Sequence, residues 1–290
     1  MPTISYRTDD RIGVVTIDRP ERRNALDHRA LDELADALAA ARADEVRALV
    51  LWGAADHFCA GADLTELEDL AFTRTLRAVL DELADLPVPT VAAIAGSCMG
   101  LGVQLSLACD LRLATPDAKF AVPVARLGLM VDHWTVQRLA MFAGASTARW
   151  MVMTAEPIAA DRAHEVGFVH RLIEPDPSVG PGATALVAGV ELGHRIAQLA
   201  PLTLAGTKLG LNLLESDGDL SDPDGAYRAA FERAWASDDL VEGRTAFAER
   251  RPPVFRGEWA RRPVPSRPLS AGCRGRWRWW WRRSGRTPHR

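Results

Sequence analysis

An apolar stretch interrupted by glycines constrains the fold of this chain more than any other feature. Residues 91–109 are almost wholly apolar or small, and their number is close to the ~20 residues that a membrane-spanning helix requires. Gly96, Gly100 and Gly102 break the stretch, and Gln104 adds a polar group. A short strand, a glycine turn and a helix that begins near Gly100 explain this pattern better than a membrane span. We therefore expect a buried βα unit and no transmembrane segment.

The flanking segments alternate between strand and helix patterns. Strands are predicted at 4–6, 12–17, 48–52, 88–95 and 111–114, and the first two form a hairpin. A helix is predicted after Asp27, a preferred N-cap residue, and another over about 66–86. This alternation indicates a layered α/β fold.

The second half of the chain is mostly helical in pattern. One strand is predicted at 168–173, and helices at about 183–199, 202–215 and 223–249. We divide the chain into a core at 1–200, a C-terminal helical region at 201–257 and a tail at 258–290.

The tail differs in composition from the rest of the chain. It has ten Arg, five of the nine Trp and a single acidic residue, so the tail is basic and the body is acidic. It lacks apolar periodicity, and we expect it not to fold by itself. Binding to nucleic acid or to an anionic membrane is one interpretation, and a non-native or accidental extension is the other. We favour the extension, and we expect no nucleic-acid partner.

The four cysteines show no metal-binding or CxxC spacing. Cys59, Cys98 and Cys109 lie in apolar stretches, so we interpret them as reduced and structural. The N-terminus has no basic segment followed by an apolar run, which predicts a cytoplasmic protein.

Three segments resemble, together and in this order, the signature of the crotonase (enoyl-CoA hydratase/isomerase) superfamily. They are Arg-Pro-Glu-Arg-Arg-Asn-Ala-Leu at 19–26, Phe-Cys-Ala-Gly-Ala-Asp-Leu at 58–64, and the glycine loop at 96–102 that leads to Cys109-Asp110-Leu111. The resemblance extends from about Ile4 to Gly257. It implies a crotonase-like spiral of ββα units, a C-terminal helical region used in trimerisation, and a homotrimer or hexamer.

The resemblance also implies that a coenzyme A thioester binds as ligand or substrate, with no permanently bound cofactor and no metal. In this family two backbone N–H groups form an oxyanion hole for the thioester carbonyl. By motif position the donors are those of Ala62 and Leu101. The family often has glycine at the Leu101 position, and leucine keeps the N–H but adds bulk. A glycine turn made only for close packing is the alternative interpretation.

The coenzyme A contacts follow from the same motifs. Ala60 falls where the family's backbone receives the adenine, and Arg22 and Arg23 precede the loop beside the pantetheine and phosphates. Arginine suits phosphate through its planar set of donors, although such a pair is also typical of a solvated surface. Asp63 could serve only to brace the loop. The predicted contacts are Arg22, Arg23, Ala25, Ala60, Ala62, Asp63 and Leu64.

Both carboxylates of ordinary hydratase chemistry are replaced. Hydration of an enoyl double bond uses one carboxylate to activate water and a second to deliver a proton. By motif position Gln104 replaces the first glutamate and Val124 the second. An amide holds water but is no base near neutral pH, and valine carries no proton to transfer. We therefore expect no efficient hydratase activity.

One acid remains in a suggestive position. Asp132 falls where dienoyl-CoA isomerases and 4-chlorobenzoyl-CoA dehalogenase carry a catalytic aspartate, but it also precedes a helix that it could cap. Trp134 replaces a glycine common in hydratases, so its indole either walls the acyl region or packs as an ordinary core residue. The predicted acyl pocket contains Trp134, Leu67 and Leu101.

This combination resembles a mycobacterial enoyl-CoA hydratase paralogue that binds fatty acyl-CoA in mycolic acid synthesis. The resemblance implies binding of long-chain acyl-CoA without hydratase turnover, and fatty acid synthase components as partners. An active acyl-CoA isomerase or lyase that uses Asp132 is the alternative.

Overall fold

The computed structural model describes residues 2–63, 70–217 and 225–258. The strands are β1 (Ile4–Asp9), β2 (Ile12–Ile17), β3 (Ala48–Gly53), β4 (Thr90–Ile94), β5 (Ser97–Met99), β6 (Leu111–Ala114), β7 (Lys119–Ala121), β8 (Ile158–Ala159) and β9 (Arg171–Leu172). The helices are α1 (His28–Ala43), α2 (Leu70–Ala84), α3 (Leu101–Ala108), α4 (His133–Ala143), α5 (Ala145–Met153), α6 (Ala160–Glu165), α7 (Gly180–Ala197), α8 (Pro201–Asp217), α9 (Ala226–Trp235) and α10 (Asp238–Glu249).

The main sheet has six strands in the order β1-β2-β3-β4-β6-β9. β1 and β2 form the predicted antiparallel hairpin, and the remaining neighbours are parallel. A smaller sheet, β5-β7-β8, stands beside it. The carboxyl end of β4 leads into β5 and then α3, so the glycine-rich segment joins the two sheets.

Both faces of the main sheet are covered, because side chains alternate along each strand. Val15 and Ile17 of β2 pack into a large core beneath α1, α2 and α3. Ile12 and Val14 face the other side, where α7 contributes Ala185 and Ile196 to a second cluster. Apolar runs without polar alternation are typical of such doubly covered parallel strands.

A fully buried arginine holds the end of α3. Arg112 Nη1 donates to the carbonyls of Ser106 and Cys109, and its Nε donates to the carbonyl of Phe168. Burial lowers the pKa of Arg112 to about 10, so the guanidinium stays protonated at neutral pH. A cation at the C-terminal end of a helix interacts favourably with its dipole.

The cysteine prediction agrees with the burial of three thiols. Cys59, Cys98 and Cys109 are free and buried. Burial raises the pKa of Cys59 and of Cys109 to about 12 and that of Cys98 well above its ordinary value. These groups remain neutral thiols, and Cys273 lies outside the described residues.

The C-terminal helices differ from the prediction. The prediction of one continuous helix over 223–249 is wrong, because the chain forms two helices there. α9 ends at Trp235, and α10 begins after Ser237, whose side chain accepts a hydrogen bond from the N–H of Leu240. The predicted strand at 168–173 is only two residues long.

α8 is held to the core by Lys208, whose Nζ lies 2.8 Å from Asp110 Oδ2. No helix in the described ranges is both long and apolar enough to cross a membrane.

Candidate functional site

The N–H of Ala62 is directed away from the strand-like contact that holds its loop. Leu26 N–H donates to the Gly61 carbonyl at 3.0 Å, and Asp63 N–H donates to the Leu26 carbonyl at 2.7 Å. In this parallel bridge the N–H and C=O of the middle residue, Ala62, point to the opposite side. Its N–H has no acceptor among the described residues.

The N–H of Leu101 is the first donor of α3. Gly100 precedes it with φ of 51°, a left-handed value that glycine adopts without strain. The first N–H groups of a helix have no intrahelical acceptor, and that of Leu101 finds none elsewhere in the described part of the chain.

Close packing brings the two loops together. Cys59 N–H donates to the Ser97 carbonyl, and Met99 N–H donates to the Cys59 carbonyl, each at 2.9 Å. A Cβ on Gly102 would lie 2.3 Å from the Cys59 carbonyl oxygen, so only glycine permits this approach. The glycine at position 102 is thus required for close packing, and the same packing places the N–H groups of Ala62 and Leu101 beside one cavity.

Ala62 and Leu101 share a cavity of about 300 Å³. Its lining is mostly apolar, and it comes from the 60–62 loop, α2, the start of α3, and the segment 123–132. Six of its residues were predicted as site residues: Ala60, Ala62, Leu101, Gln104, Val124 and Asp132.

The two positions that are predicted to replace the glutamates both line this cavity. Gln104 is only 8% exposed, and its Nε2 donates to Thr135 Oγ1 at 2.8 Å. Val124 lies in the turn Pro123–Leu127 and packs against the core. Neither position contributes a carboxyl group to the cavity wall.

Asp132 caps α4, as one of its two interpretations predicted. Its Oδ1 accepts hydrogen bonds from the N–H of Thr135, at 3.0 Å, and from the Thr135 hydroxyl. Its Oδ2 lies 3.3 Å from Nη1 of Arg77. Burial favours the neutral acid, but the Thr135 hydrogen bonds and the Arg77 charge outweigh it and lower the pKa of Asp132.

Trp134 does not line the cavity, which corrects its assignment to the acyl pocket. Its ring lies beneath the guanidinium of Arg77. The guanidinium of Arg138 also lies close, with its central carbon 4.6 Å from the centroid of the Trp134 ring. A separate hollow contains Trp134 together with Gln137 of α4 and residues of α8. Consecutive helical residues point about 100° apart, so Thr135 and Trp134 face different neighbours.

Some residues that are predicted to contact coenzyme A are exposed at the surface, and others are buried and hold the neighbouring loops in place. Arg22 and Arg23 are exposed, and Ala25 is half-buried. Ala60 N–H donates to the Arg23 carbonyl at 3.0 Å, so the arginine loop adjoins the cavity rim. Asp63 braces the loop through Arg19, whose Nη2 lies 3.0 Å from Asp63 Oδ2.

Two predicted site residues, Leu64 and Leu67, lie outside the described residues. The sequence reasoning missed Thr135 and Arg77, which hold Asp132, and Arg19, which holds Asp63. A hydroxyl three residues after a capping aspartate is a signal for Thr135. No comparable signal exists for Arg77, which meets Asp132 across 55 residues of sequence.

The site therefore joins two free N–H donors to a mostly apolar cavity that has no carboxylate at positions 104 and 124. Two sheets that are joined through a glycine loop and covered by helices on both faces form the crotonase fold. The chain belongs to the enoyl-CoA hydratase/isomerase family, whose model matches residues 7–258.

Individual relatives agree with this assignment. The chain is 37% identical over 244 residues to a probable enoyl-CoA hydratase, echA6, of Mycobacterium tuberculosis, covering 84% of this chain and 95% of that protein. It is 31% identical over 255 residues to the mitochondrial methylglutaconyl-CoA hydratase of Mus musculus, covering 85% and 80%.

Solved structures of similar proteins superpose well. An enoyl-CoA hydratase of Bacillus anthracis has a TM-score of 0.78 and 28% identity, with 88% of this chain and 100% of that chain covered. An enoyl-CoA hydratase of Mycobacterium tuberculosis H37Rv has a TM-score of 0.74 and 29% identity, with 89% and 100% covered.

Proposed function

We propose that this protein binds long-chain fatty acyl-CoA and holds the thioester without hydrating it. The observation that carries the proposal is the pairing of two free N–H donors, on Ala62 and Leu101, with Gln104 and Val124 in one cavity. Donors of this kind suit a carbonyl oxygen in the ground state and an enolate oxygen in a transition state. We propose that they form an oxyanion hole.

Catalysis needs interactions that are stronger in the transition state than in the ground state. In hydration, a general base and a general acid supply much of that difference. Gln104 and Val124 supply neither function. Binding of the thioester therefore persists where turnover is lost.

The acyl chain is assigned to the apolar side of the cavity. Phe72, Leu76 and Leu80 of α2 line it, and exposed side chains extend it at the rim. Among these, Met130 is 89% exposed, and Leu127 and Leu129 are 49% and 42% exposed. This strip provides a path for a chain longer than the cavity alone could hold. Leu67 and Leu101 complete the proposed acyl contacts.

The coenzyme A portion is assigned to the loop beside Ala60. Arg22 and Arg23 are exposed and form the end of the turn Pro20–Arg22, which Arg19 precedes. We place the phosphates near these guanidinium groups and the adenine at the Ala60 backbone. Ala25, Ala62, Asp63 and Leu64 form the remaining proposed contacts.

An isomerase or lyase that uses Asp132 is the second candidate, because this carboxylate lines the cavity. Its lowered pKa and its contact with Arg77 make it a weak base. We therefore rank this activity below binding.

The cellular role is proposed from resemblance. Similarity to mycobacterial relatives supports a place in fatty acid metabolism, in mycolic acid synthesis in particular, with fatty acid synthase components as partners in the cytoplasm. A homotrimer or hexamer is supported by apolar side chains left exposed on the C-terminal helices: Phe231, Trp235, Val241 and Phe247.

The direct test is titration of the full chain with palmitoyl-CoA and with free CoA. We expect the acyl form to bind at least tenfold more tightly, because each buried methylene contributes about 0.8 kcal/mol before ordering costs. Equal affinities would contradict an acyl site.

A second titration tests the N–H donors. Leu101→Pro removes one N–H at the first helical position, where proline is best tolerated, and Leu101→Ala is the control that keeps it. A hexadecyl-CoA thioether lacks the carbonyl. We expect wild type and Leu101→Ala to prefer the thioester, and Leu101→Pro to lose most of that preference. An unchanged preference in Leu101→Pro would exclude this donor.

A further inference from the structure

Two buried cysteines lie directly opposite each other in the contact that joins the two loops. Cys59 N–H donates to the carbonyl of Ser97, and the Cys59 carbonyl accepts the N–H of Met99. In such a parallel bridge, Cys98, the residue between these two partners, faces Cys59. Neighbouring strands lie about 4.7–4.9 Å apart, and a disulfide joins Cα atoms separated by about 4.4–6.8 Å. The backbone therefore permits a bond between the two cysteines.

The two side chains also lie on the same side of the bridge. A Cβ on Gly102 would lie 3.0 Å from the Cβ of Cys59, so the Cys59 side chain is directed at α3. The Cys98 thiol forms a hydrogen bond with Ser106, four residues further along the same helix. Helical residues four apart share one face. Both thiols therefore approach one face of α3.

Each cysteine precedes one of the two N–H donors by the same number of residues. Ala62 follows Cys59 by three residues, and Leu101 follows Cys98 by three. The Cβ atoms of directly opposed residues are about 4.5–5.5 Å apart, whereas a disulfide brings them to about 3.8 Å. A bond between the thiols would therefore draw the two segments together and change the distance between the N–H groups of Ala62 and Leu101.

The thiols react slowly, but a small oxidant has a route to them. Both side chains are fully buried, and burial raises the pKa of Cys59 to about 12 and that of Cys98 well above its ordinary value. Because the thiolate is the reactive form, oxidation near neutral pH is slow. Ala60 and Gly100 line the cavity and lie within two residues of the cysteines. The cavity is therefore the approach for a small uncharged oxidant such as hydrogen peroxide.

We propose that Cys59 and Cys98 form a reversible disulfide during sustained exposure to hydrogen peroxide, and that this bond weakens the binding of acyl-CoA thioesters. The Cys59 sulfur first attacks one oxygen of the peroxide, which breaks the O–O bond and gives a sulfenic acid and water. The Cys98 sulfur then attacks the sulfenic sulfur, which forms the S–S bond and releases a second water. The two sulfurs lose two electrons to the peroxide, and both thiol protons leave in water. The effect on affinity rests on the proposed function, whereas formation of the bond does not.

The first test is a peptide map of the oxidised full-length chain. Cys273→Ser removes the thiol that lies outside the described residues, and peroxide is added without ligand. After alkylation of the remaining thiols, mass spectrometry should detect a peptide pair joined through Cys59 and Cys98, about 2 Da lighter than the two free peptides together. Cys109→Ala should still form this pair, and Cys59→Ala should not. Cys98→Ala takes the place of Cys59→Ala if that variant does not fold.

The second test measures the affinity for palmitoyl-CoA by calorimetry before and after oxidation. We expect the oxidised chain to bind at least about fivefold more weakly, the effect of one displaced hydrogen bond. Dithiothreitol should restore the affinity. This reversal distinguishes the disulfide from oxidation of Met130 at the cavity rim, because a methionine sulfoxide is restored by dedicated reductases. Oxidised Cys59→Ala should show no change that dithiothreitol reverses.

Absence of the joined peptides would overturn the inference and leave the proposed function in place. A disulfide that leaves the affinity unchanged would overturn it as well. A reduced wild type that does not bind palmitoyl-CoA would overturn the proposed function and with it the effect on affinity, whereas the peptide map would still decide whether the disulfide forms.

Discussion

The guanidinium of Arg77 lies over the indole of Trp134, with its central carbon 3.8 Å from the ring centroid. The same arginine pairs with Asp81 on its own helix and with Asp132 at the start of α4. Arg138 approaches the ring as well and pairs with Glu215 of α8. Trp134 is thus part of a charged junction between α2, α4 and α8 behind the cavity.

Replacement of Trp134 should therefore affect stability more than ligand choice. Trp134→Ala should lower the free energy of unfolding by about 2 kcal/mol, since a half-buried ring and its cation–π contacts are lost. Trp134→Phe keeps an aromatic face and should lose about half as much. Urea unfolding measures both. The ratio of the affinities for palmitoyl-CoA and CoA should stay within about twofold of the wild-type ratio. A marked change would show that Trp134 contacts the acyl chain after all.

Asp132 should contribute to stability at neutral pH and not in acid. Its pKa is lowered in the folded state, so the ionised form stabilises the fold above the ordinary value of 3.8, and the contribution disappears as the pH falls through the lower folded value. Asp132→Asn keeps an N-cap side chain and removes the charge.

We expect Asp132→Asn to be less stable than wild type at pH 7 by under about 1 kcal/mol, because the carboxyl is partly exposed to solvent. The difference should disappear as the pH falls through the lowered pKa of Asp132. Urea unfolding across a series of acidic pH values measures it, with Asp32→Asn, an exposed position on α1, as the control. A difference that persists in acid would show that the cap geometry, not the charge, was disturbed.

Hydration of crotonyl-CoA should be at least about a thousandfold slower than in an active family member, as the predicted replacement of both acid–base groups implies. Gln104→Glu combined with Val124→Glu should recover part of the rate. Val124→Gln is the matched control, with a side chain of similar size and no acid. Turnover of several per second by the wild type would refute the expectation.

The chain should tolerate removal of its tail after Gly257. Asp239 accepts hydrogen bonds from the N–H groups of Arg256 and Gly257, and Arg47 donates to the Phe255 carbonyl, so the fold holds the segment up to this point. A chain that ends at Gly257 should keep its melting temperature and its size-exclusion volume. One that ends at Pro253 should melt lower. A large drop for the 257 ending would mean that the tail packs on the fold.

The features predicted correctly were those with short-range causes. Asp27 accepts a hydrogen bond from Ala30 N–H, as its place before an apolar repeat predicted. The hairpin and the glycine turn before α3 follow from residues close in sequence. The signal missed at Ser237 was of the same kind, because Ser-Asp-Asp is a typical start of a helix.

The features that escaped prediction depend on packing between distant segments. Gln104 meets Thr135 across 31 residues, and no property of either residue alone requires the contact. Trp134 was assigned by motif position, which gives its place in sequence but not the direction of its side chain. The one-residue offset from Thr135 decides that direction, and it depends on where α4 begins.

The contact between Cys59 and the start of α3 has a consequence for ligand recognition. Because Gly102 lies against the Cys59 carbonyl, which also accepts a hydrogen bond from Met99 N–H, the loop of Ala62 and the start of the helix of Leu101 are packed tightly together. The distance between the N–H groups of Ala62 and Leu101 is then fixed by the fold before a ligand binds. For the proposed oxyanion hole, this means that differences in affinity among thioesters should reflect the ligands' own shape and flexibility.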